Sequence, residues 1–562
     1  VRIEGGSASV ELPAAGALGP HAAALIVDGR VAGIASMAYT LDATTSLVSG
    51  VAEYDGLLPR IRAMLAQDTY QIELAGRSVY GYRSPDSPLL WLRDHVYQGL
   101  GYRYFEPQMT SALDYFRDQQ RPNGAFDDYI GKEADGRLIQ GRMDVDADLE
   151  FLFAQGVVQA WQATGDDAWL RASLPAAERG LAYSTSDPLR WDGGLGLVKR
   201  PYTIDMWDFE LGALTTSPDG KPALRHWLDS ATRFGIMHGD NTGTAYAMLQ
   251  LASAYERLGA GGRAAEWRGR AFGLVGRLNA ASWNGRFFRH FTPLAPTDVA
   301  GVDPEQQLSI SNAYALNRAV LNETQAQSIL AEYQRRRTES SAFAEWFSID
   351  PAFPAGSFGS AEGLAPGQYV NGGIMPLVGG ELARGAFRWG QPTYGFDILR
   401  RYNQLVGEYN GSYLWYTPSG QAGISNGTTI STDGWGSSAM LAALIEGAAG
   451  VRDAGALLRE VELSPGWSAD TNVQQARVTV RYPASLGYVA YRWERLPNGL
   501  RIQATGAQGG KLRLLLPEGA GEIASVTVGG NQAAPQIEQI GQSRYVVLAL
   551  PPSLQAVEVR WR

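Results

Sequence analysis

Cysteine is absent from this chain of 562 residues, and histidine occurs only five times. Without thiols the protein has no disulfide, no thiolate zinc site and no cysteine nucleophile. No two histidines stand at the spacing of metal ligands, so we predict neither a metal site nor a cofactor. The five are His21, His95, His226, His238 and His290.

Long apolar runs and basic clusters are also lacking. No stretch reaches the length of a membrane-spanning helix. The net charge of −9 is modest and forms no basic stripe, which argues against nucleic acid and anionic membranes as partners. The chain begins at Val1 without a signal-like segment. A cytoplasmic location and secretion after signal removal therefore both stay open, as does the oligomeric state.

Aromatic residues, by contrast, are plentiful, with 15 tryptophans and 26 tyrosines. In an acidic protein this composition is typical of carbohydrate binding, because aromatic rings stack on sugar faces; a large core that uses tryptophan as a filler would give the same composition. Hydrophobic residues make up 45% and charged residues 19% of the chain, which is typical of a globular protein.

The chain divides into three regions with different patterns of apolar and polar residues. Residues 1–80 alternate or run β-branched and break at Gly and Pro, which predicts an N-terminal β region. Residues 81–455 hold about twelve segments with helical spacing, many of them apolar on more than one face, as expected of a two-layer helical toroid. Residues 462–562 form short alternating strands, which predicts a C-terminal β-sandwich. The predicted fold class is therefore mainly α, with β structure at both ends.

Three acids surround one tryptophan in the stretch "RPYTIDMWDFELG". They are Asp205, Asp208 and Glu210, with Trp207 between them. Burial against aromatic rings raises the pKa of a carboxyl group, and a nearby like charge raises it further. A general acid that protonates a glycosidic oxygen needs such a pKa. A surface loop with ordinary solvated acids is the alternative interpretation.

Two further motifs place charged residues at predicted helix starts. In "WLRD", Trp91, Arg93 and Asp94 open a helix, where the acid either favours the helix dipole or binds sugar hydroxyls. Asp148 and Asp240 precede two long helices. Capping is the default interpretation for both, and a position facing a pocket is the alternative.

Aromatic loops follow in the last part of the helical region. "YVNGGIMP" contains Tyr369 and Asn371, and Glu408 lies between a helix and a loop that contains Trp415. Trp435 opens the last helix. A single Glu in a loop is usually solvated, so its neighbours, and not its type, make Glu408 a candidate.

The order of these motifs resembles that of the six-hairpin glycosidases with an (α/α)6 barrel, a group that includes glucoamylases, trehalases, the family-63 α-glycosidases and the glucosidase part of glycogen debranching enzymes. "WLRD" is similar to the Trp-Pro-Arg-Asp of glucoamylases and the Trp-Leu-Arg-Asp of family-125 exo-mannosidases. "DADLEFLFAQGVVQAWQATGD" resembles a debranching-type stretch. "DMWDFE" is similar to motifs of glucoamylases and trehalases, and "GEYN" followed by "GWGSS" to a trehalase pair. The C-terminal strands resemble the sandwich that ends rhamnosidase-type chains.

This resemblance implies an inverting, exo-acting glycoside hydrolase that cleaves terminal, α-linked glucose-type or mannose-type sugars without a metal. It implies Asp208 as the general acid and Glu408 as the base, with Glu345 and Glu381 as rivals for the base. The implied substrate-binding residues, for an oligosaccharide or glycoside, are Trp91, Arg93, Asp94, Asp148, Trp207, Asp240, Tyr369, Asn371, Trp415 and Trp435.

Two other functions stay open at this point. A polysaccharide lyase or sugar epimerase on a related toroid would remove a carbon-bound proton with His or Tyr, and His95 and His238 are the central candidates. A non-catalytic carbohydrate-binding protein is the second alternative, and it predicts that Asp208 and Glu408 do not face each other across one pocket.

Overall fold

The computed structural model of this chain describes residues 2–4, 7–9, 15–27, 30–74, 76–133, 135–361, 363–551 and 553–562. The α-helices in these residues are α1 (Ala52–Asp55), α2 (Leu57–Leu65), α3 (Leu92–Tyr102), α4 (Ser111–Asp118), α5 (Leu149–Thr164), α6 (Asp167–Ser184), α7 (His238–Arg257), α8 (Gly261–Ser282), α9 (Ser311–Ala315), α10 (Glu323–Glu339), α11 (Pro376–Arg388), α12 (Pro392–Tyr409) and α13 (Gly434–Ala442). A π-helical turn, Ala443–Ala448, continues α13.

Six of these helices form a closed inner ring. The order around the ring is α3, α5, α7, α9, α11 and α13, and α13 packs back against α3. Helices α6, α8, α12 and α2 cover α5, α7, α11 and α13 from outside, and α4 and α10 complete the outer layer. The predicted (α/α)6 toroid is thus confirmed.

The residue patterns of the two layers explain their places. In the inner helix α5, 14 of 16 residues are buried, because it contacts helices on three sides. The outer helix α8 buries six of 22 residues at helical spacing, which leaves a solvated face. Inner helices also approach closely. A Cβ at Gly380 of α11 would lie 2.4 Å from the backbone carbonyl carbon of Ala439 in α13, so this position needs glycine.

Short strands connect the helices and precede them. Those before the barrel are β1 (Arg2–Glu4), β2 (Ser7–Ser9), β3 (Gly19–Val27), β4 (Arg30–Leu41), β5 (Ser46–Val48), β6 (Thr69–Leu74) and β7 (Arg77–Tyr82). Those between barrel helices are β8 (Leu90–Trp91), β9 (Tyr129–Lys132), β10 (Leu138–Gly141), β11 (Trp191–Asp192), β12 (Leu197–Val198), β13 (Arg200–Pro201), β14 (Thr215–Thr216), β15 (Pro222–Ala223), β16 (Phe234–Met237), β17 (Phe291–Pro293), β18 (Leu308–Ser309) and β19 (Ile349–Asp350).

The C-terminal region is a sandwich of two sheets. Its strands are β20 (Val451–Asp453), β21 (Glu460–Leu463), β22 (Gln475–Arg481), β23 (Tyr488–Leu496), β24 (Gly499–Thr505), β25 (Gly509–Leu515), β26 (Ile523–Val528), β27 (Asn531–Gln532), β28 (Gln536–Ile540), β29 (Ser543–Ala549) and β30 (Val557–Trp561). One sheet has the order β20-β21-β25-β29-β28, and the other β27-β26-β30-β24-β23-β22-β5.

The N-terminal region differs from the single β region predicted for residues 1–80. Helix α2 belongs to the outer layer of the barrel, since its buried residues Leu57, Leu58, Ile61, Met64 and Leu65 recur at helical spacing and α2 packs on α13. Strand β5 pairs with β22 of the C-terminal sandwich, with Leu47 opposite Val478. None of the described helices is both long and apolar enough to cross a membrane.

Candidate active site

The inner helices begin at one end of the toroid, and the candidate residues collect there. Asp94 lies in the first turn of α3, Asp148 is the N-cap residue of α5, Asp240 lies in the first turn of α7, and Asp433 caps α13. The segment that carries Asp208 joins α6 to α7 and reaches the same end. The barrel therefore gathers the acids of distant motifs in one place.

Asp208 is partly exposed and lines a crevice of about 500 Å³. Burial raises the pKa of this carboxyl, and the negative charge of Asp146 raises it further, against the opposing charges of Arg93 and Arg200. The walls around it are mostly apolar: Met143, Phe209, Leu214, Ala223, Leu224, His226, Ser360, Ala361 and Leu364. Asp208 thus has the setting of a carboxyl group that keeps a proton.

The two acids on either side of Asp208 anchor the loop. Asp205, at φ 46°, accepts hydrogen bonds from the backbone N–H (3.0 Å) and the hydroxyl of Ser311, and its own N–H donates to Nε2 of His290 (2.9 Å). Glu210 pairs with Arg225 and Arg233, each at 3.1 Å. Both carboxylates are engaged, which leaves Asp208 as the free acid of the stretch.

A buried network of charges supports the acid loop from below. Arg93 pairs with Asp146 (2.7 Å) and Asp148 (2.9 Å), and Arg200 pairs with Asp146 (3.0 Å) and Asp240 (3.1 Å). All five residues are less than 7% exposed. Because buried charges need partners, each of these residues depends on the others.

The same network reaches Trp207 and Asp128. Nη2 of Arg200 donates to the carbonyl oxygen of Trp207 at 2.8 Å, next to Asp208 in the chain. Both carboxyl oxygens of Asp128 and Oδ2 of Asp146 are buried and make no hydrogen bond among the described residues. Burial and the charge of Asp146 raise the pKa of Asp128 well above its usual range, so a protonated Asp128 fits here as a donor to Asp146.

A stack of aromatic rings closes the toroid beneath the crevice. The rings of Trp207 and Trp435 lie 6.1 Å apart at 14°, and those of Trp435 and Tyr97 lie 5.1 Å apart at 8°. Nε1 of Trp435 donates to the hydroxyl of Tyr314 at 2.9 Å. Tyr97 on α3 and Tyr314 on α9 come from opposite sides of the inner ring, and their rings lie 5.0 Å apart. The stack therefore crosses the centre of the inner ring.

Two more carboxyl groups, those of Asp86 and Asp94, act with that of Asp208 on the pKa of Tyr369. The Tyr369 hydroxyl accepts a hydrogen bond from Nε1 of Trp207 at 2.9 Å. Burial raises the pKa of Tyr369 well above its usual range, and the charges of Asp86, Asp208 and Asp94 add to the rise. Burial raises the pKa of Asp94 to about 6 against the charge of Arg93, and it also raises the pKa of Asp86. The charges of three carboxyls thus raise the pKa of one phenol.

None of the ten predicted substrate-binding residues is among those that line the crevice of Asp208. Trp91 is half-buried beside Tyr129, with ring centres 4.9 Å apart, and Nε1 of Trp415 donates to Ser425 at 2.9 Å. Asn371 is fully buried and binds the backbone of Phe353. Three of the predicted binding residues form ion pairs in the buried network: Arg93, Asp148 and Asp240.

The structure does not bring any of the three predicted bases to Asp208. Glu408 is exposed in the last turn of the outer helix α12 and makes no hydrogen bond to any described residue. Glu345 is buried against Arg401 at 2.7 Å. Glu381, near the middle of α11, accepts a hydrogen bond from Nδ2 of Asn317 at 2.7 Å. The base assigned to Glu408 is therefore not supported by its position.

The capping interpretations also need correction. Asp148 occupies the N-cap position of α5, but its side chain makes no capping hydrogen bond, because it pairs with Arg93 instead. Helix α7 starts at His238 after Met237, so Asp240 lies inside the first turn and does not cap it. In both cases a distant arginine binds the carboxylate more strongly than a local N–H would.

The two histidines considered for lyase or epimerase chemistry are buried. Burial lowers the pKa of His95 to about 4 and that of His238 to about 3. His95 stacks on Tyr82, and His238 lies within hydrogen-bond distance of Ser309 at 3.1 Å. Neither lines the crevice of Asp208.

Several residues of the site were missed by the sequence reasoning, and short patterns mark some of them. Asp86 lies in the turn "SPDSP" before "WLRD", and Asp128 follows Asp127 in "GAFDDYIG". Arg200 is the first residue of the quoted acidic stretch. His226 lines the crevice, and no local pattern distinguishes it.

Two buried acids near α13 predict a pH-dependent stability. Burial raises the pKa of Asp68 to about 7 and that of Asp433 to about 8, from 3.8. Between pH 4 and 8 the folded state therefore binds more protons than the unfolded state, so the free energy of unfolding falls as pH rises across this window, by up to ~1.4 kcal/mol per pH unit for each group.

We expect the melting temperature to fall from pH 5 to pH 8 and the Asp433→Asn variant to show a shallower fall, since Asn carries no proton to lose. Calorimetry across this range measures both. The exposed Asp298→Asn is the matched control and should keep the slope of the parent. Equal slopes for all three proteins would contradict the assignment.

No cluster of three or more His, Cys, Asp or Glu side chains that could hold a metal ion occurs in the described part of the chain. No protein-family model matches the sequence, and no curated protein matches it.

Solved structures nevertheless share the fold. The α-L-rhamnosidase from Dictyoglumus thermophilum matches with a TM-score of 0.58 at 11% identity, over 93% of this chain and 51% of that one. The Streptomyces avermitilis α-L-rhamnosidase complexed with L-rhamnose matches with a TM-score of 0.57 at 15% identity, over 94% and 44%. The GH78 family rhamnosidase of Bacillus sp. GL1 matches with 0.56 at 17%, over 86% and 44%.

This chain therefore spans about half the length of the structures it resembles. At these identities the similarity concerns the fold alone. The chain has the (α/α)6-barrel architecture with β domains that these glycoside hydrolases possess.

Proposed function

We propose that this protein is a glycoside hydrolase in which Asp208 protonates the glycosidic oxygen. The observation that carries the proposal is the setting of Asp208: a partly exposed carboxyl with a raised pKa in an apolar crevice. A general acid must hold its proton near neutral pH and reach the leaving oxygen. Its anchored neighbours, Asp205 and Glu210, fix the loop that carries it.

The aromatic stack across the inner ring supports exo action. A chain cannot thread through the toroid, because the stack of Trp207, Trp435 and Tyr97 crosses its axis. A substrate enters from the open end and places one terminal sugar at the bottom. The reaction proposed is therefore the release of single terminal sugars from an oligosaccharide or glycoside.

An inverting mechanism needs a base that activates water on the other face of the sugar, with the two carboxyl groups roughly 6.5–9.5 Å apart. Glu408 lies on the outside of the barrel, so we assign the base to the pair Asp86 and Asp94. Both carboxyls act on Tyr369 together with Asp208. The single variants Asp86→Asn and Asp94→Asn separate the two, since the base variant loses kcat while a sugar-binding variant mainly raises KM.

The test of the function is hydrolysis of a panel of nitrophenyl glycosides and disaccharides, with the anomer of the released sugar followed by NMR. Inversion of the anomeric centre supports the mechanism, and retention would overturn it. The release of internal fragments from a longer oligosaccharide would overturn exo action.

The walls of the crevice predict a preference in the leaving group. Phe209, Leu224 and Leu364 line the crevice together with Asp208, and Leu214, which also lines it, is 39% exposed. Aryl glycosides should therefore show a KM several-fold lower than disaccharides with the same terminal sugar, because apolar area is buried on binding. Leu214→Asn should raise the KM of the aryl substrates alone. Leu189, which is 52% exposed, lies outside this crevice, so Leu189→Asn should leave the KM of aryl glycosides and of disaccharides unchanged.

A non-catalytic carbohydrate-binding protein is the second candidate function. The separation of Asp208 from Glu408 is the arrangement that this alternative predicts. The panel of nitrophenyl glycosides and disaccharides distinguishes this alternative from an enzyme, because sugars would bind and stabilise the protein but no substrate would be cleaved. The partly exposed carboxyl of Asp208 in an apolar crevice, with its raised pKa, favours the enzyme.

A further inference from the structure

A second and larger cavity lies at the opposite end of the toroid. Its volume is about 930 Å³, and it lies between the last turns of the inner helices and the C-terminal sandwich. Helix α5, with 16 residues, separates the two ends by about 24 Å at 1.5 Å per residue. The aromatic stack lies between them, and Tyr97 and Tyr314 also line this second cavity. The cavity is therefore distinct from the crevice of Asp208.

Three arginines in this cavity are paired with glutamates. Arg384 pairs with Glu381 at 2.9 Å, Arg513 pairs with Glu462 at 2.8 Å, and Arg103 pairs with Glu446. Such pairs satisfy buried guanidinium groups and leave no charge for a ligand.

Arg257 and Arg459, which are exposed, have no carboxylate within 4.0 Å among the described residues, and the same holds for Arg388 in the last turn of α11. Arg388 is half-buried, and its side chain makes no hydrogen bond to any described residue. Burial and the positive charges of Arg452 and Arg384 lower the pKa of Arg388 to about 10, while Tyr246 and Glu462 oppose this. A guanidinium that faces a cavity between two other cations lacks a counter-charge, and a bound anion would supply it.

The rest of the lining is suited to hydroxyl groups. Gln159, Tyr246 and Ser253 line the cavity, and Oε1 of Gln250 is buried there without a hydrogen-bond donor in the described part of the chain. The volume falls within the range of pockets for small organic ligands, roughly 300–1,000 Å³. An inorganic ion alone would leave most of this space and these polar groups unused.

We propose that this cavity is a binding site for a sugar-sized polyol that carries one anionic group, phosphate or carboxylate, held by Arg388. The anionic group would lie between Arg388 and Arg452, and the hydroxyls against Gln250, Tyr246 and Ser253. This site is independent of the hydrolase activity, since none of these residues lines the crevice of Asp208.

The test is calorimetric titration of the full-length protein with glucose 6-phosphate and glucuronate, with glucose and inorganic phosphate as matched probes. We expect the two anionic sugars to bind at least tenfold more tightly than glucose and inorganic phosphate. Arg388→Gln should lose this advantage, while Arg171→Gln, an exposed arginine outside the cavity, should keep it.

Three outcomes would overturn the proposal. They are equal binding of glucose and glucose 6-phosphate, unchanged binding in Arg388→Gln, and binding of inorganic phosphate as tight as that of the sugar phosphate. The Arg388→Lys variant guards against misfolding, because it keeps the charge and should retain part of the affinity. Hydrolysis by Asp208 is read separately on the nitrophenyl panel.

Discussion

Asp208→Asn is expected to lower kcat by about 10²–10⁴-fold on glycosides with poor leaving groups, because Asn fills the same space but has no proton to donate. Substrates with a dinitrophenyl leaving group should lose far less, since that group departs without protonation. The measurement is kcat for the two kinds of substrate with the same terminal sugar. The ratio between the two losses is what identifies a proton donor.

The matched control for this variant is Asp219→Asn, an exposed acid in the same segment between α6 and α7, with a side chain 62% exposed. It should leave both rates unchanged. If Asp208→Asn lowered kcat equally for both kinds of substrate, Asp208 would be a binding or structural residue. If it lowered neither, the acid would have to be sought elsewhere.

Arg200→Gln is expected to destabilise the protein by about 3–5 kcal/mol, because it leaves buried carboxylates without their partner. Arg200 is fully buried and pairs with Asp146 and Asp240. Burial raises the pKa of Asp240 to about 7, against the charge of Arg200, so this carboxyl is protonated in acid. The loss of stability should therefore shrink at pH 5 relative to pH 8. Chemical denaturation at the two pH values measures it.

Arg268→Gln provides the comparison, since Arg268 forms an exposed pair with Glu256 and should contribute less than about 1 kcal/mol. Arg200→Lys keeps the charge and should recover part of the stability. A similar loss of stability in Arg200→Gln and Arg268→Gln would show that the buried ion pairs contribute no more to stability than an exposed pair. A loss of stability that is larger at pH 5 than at pH 8 would contradict the raised pKa of Asp240.

The sequence predicted the barrel well where periodicity is long. Helices α5 to α8 have sixteen or more residues each, and their apolar positions repeat over several turns. Helix α2 was missed, because its nine residues lie between strands and contain Pro59 in their first turn. Strand β5 could not be assigned to the C-terminal sheet, since its partner β22 lies more than 400 residues further along the chain.

The site was predictable only in part, for a related reason. Asp208 could be found because its aromatic neighbours are adjacent in sequence. The partners of Asp148 and Asp240 are arginines 55 and 40 residues away, so no local pattern distinguishes an ion pair from a cap. Glu408 falls at the end of a correctly predicted helix, but the sequence does not tell which side of the last turn faces the barrel axis.

The pairing of β5 with β22 has a consequence for the order in which the protein can fold. The C-terminal seven-stranded sheet gains its last strand from residues 46–48, so this sheet is complete only after the ends of the helical domain have been brought together. Closing so long a loop costs entropy before the strand contacts repay it. We therefore expect the pairing of β5 with β22 to form late, after the barrel has brought residues 46–48 close to the sandwich.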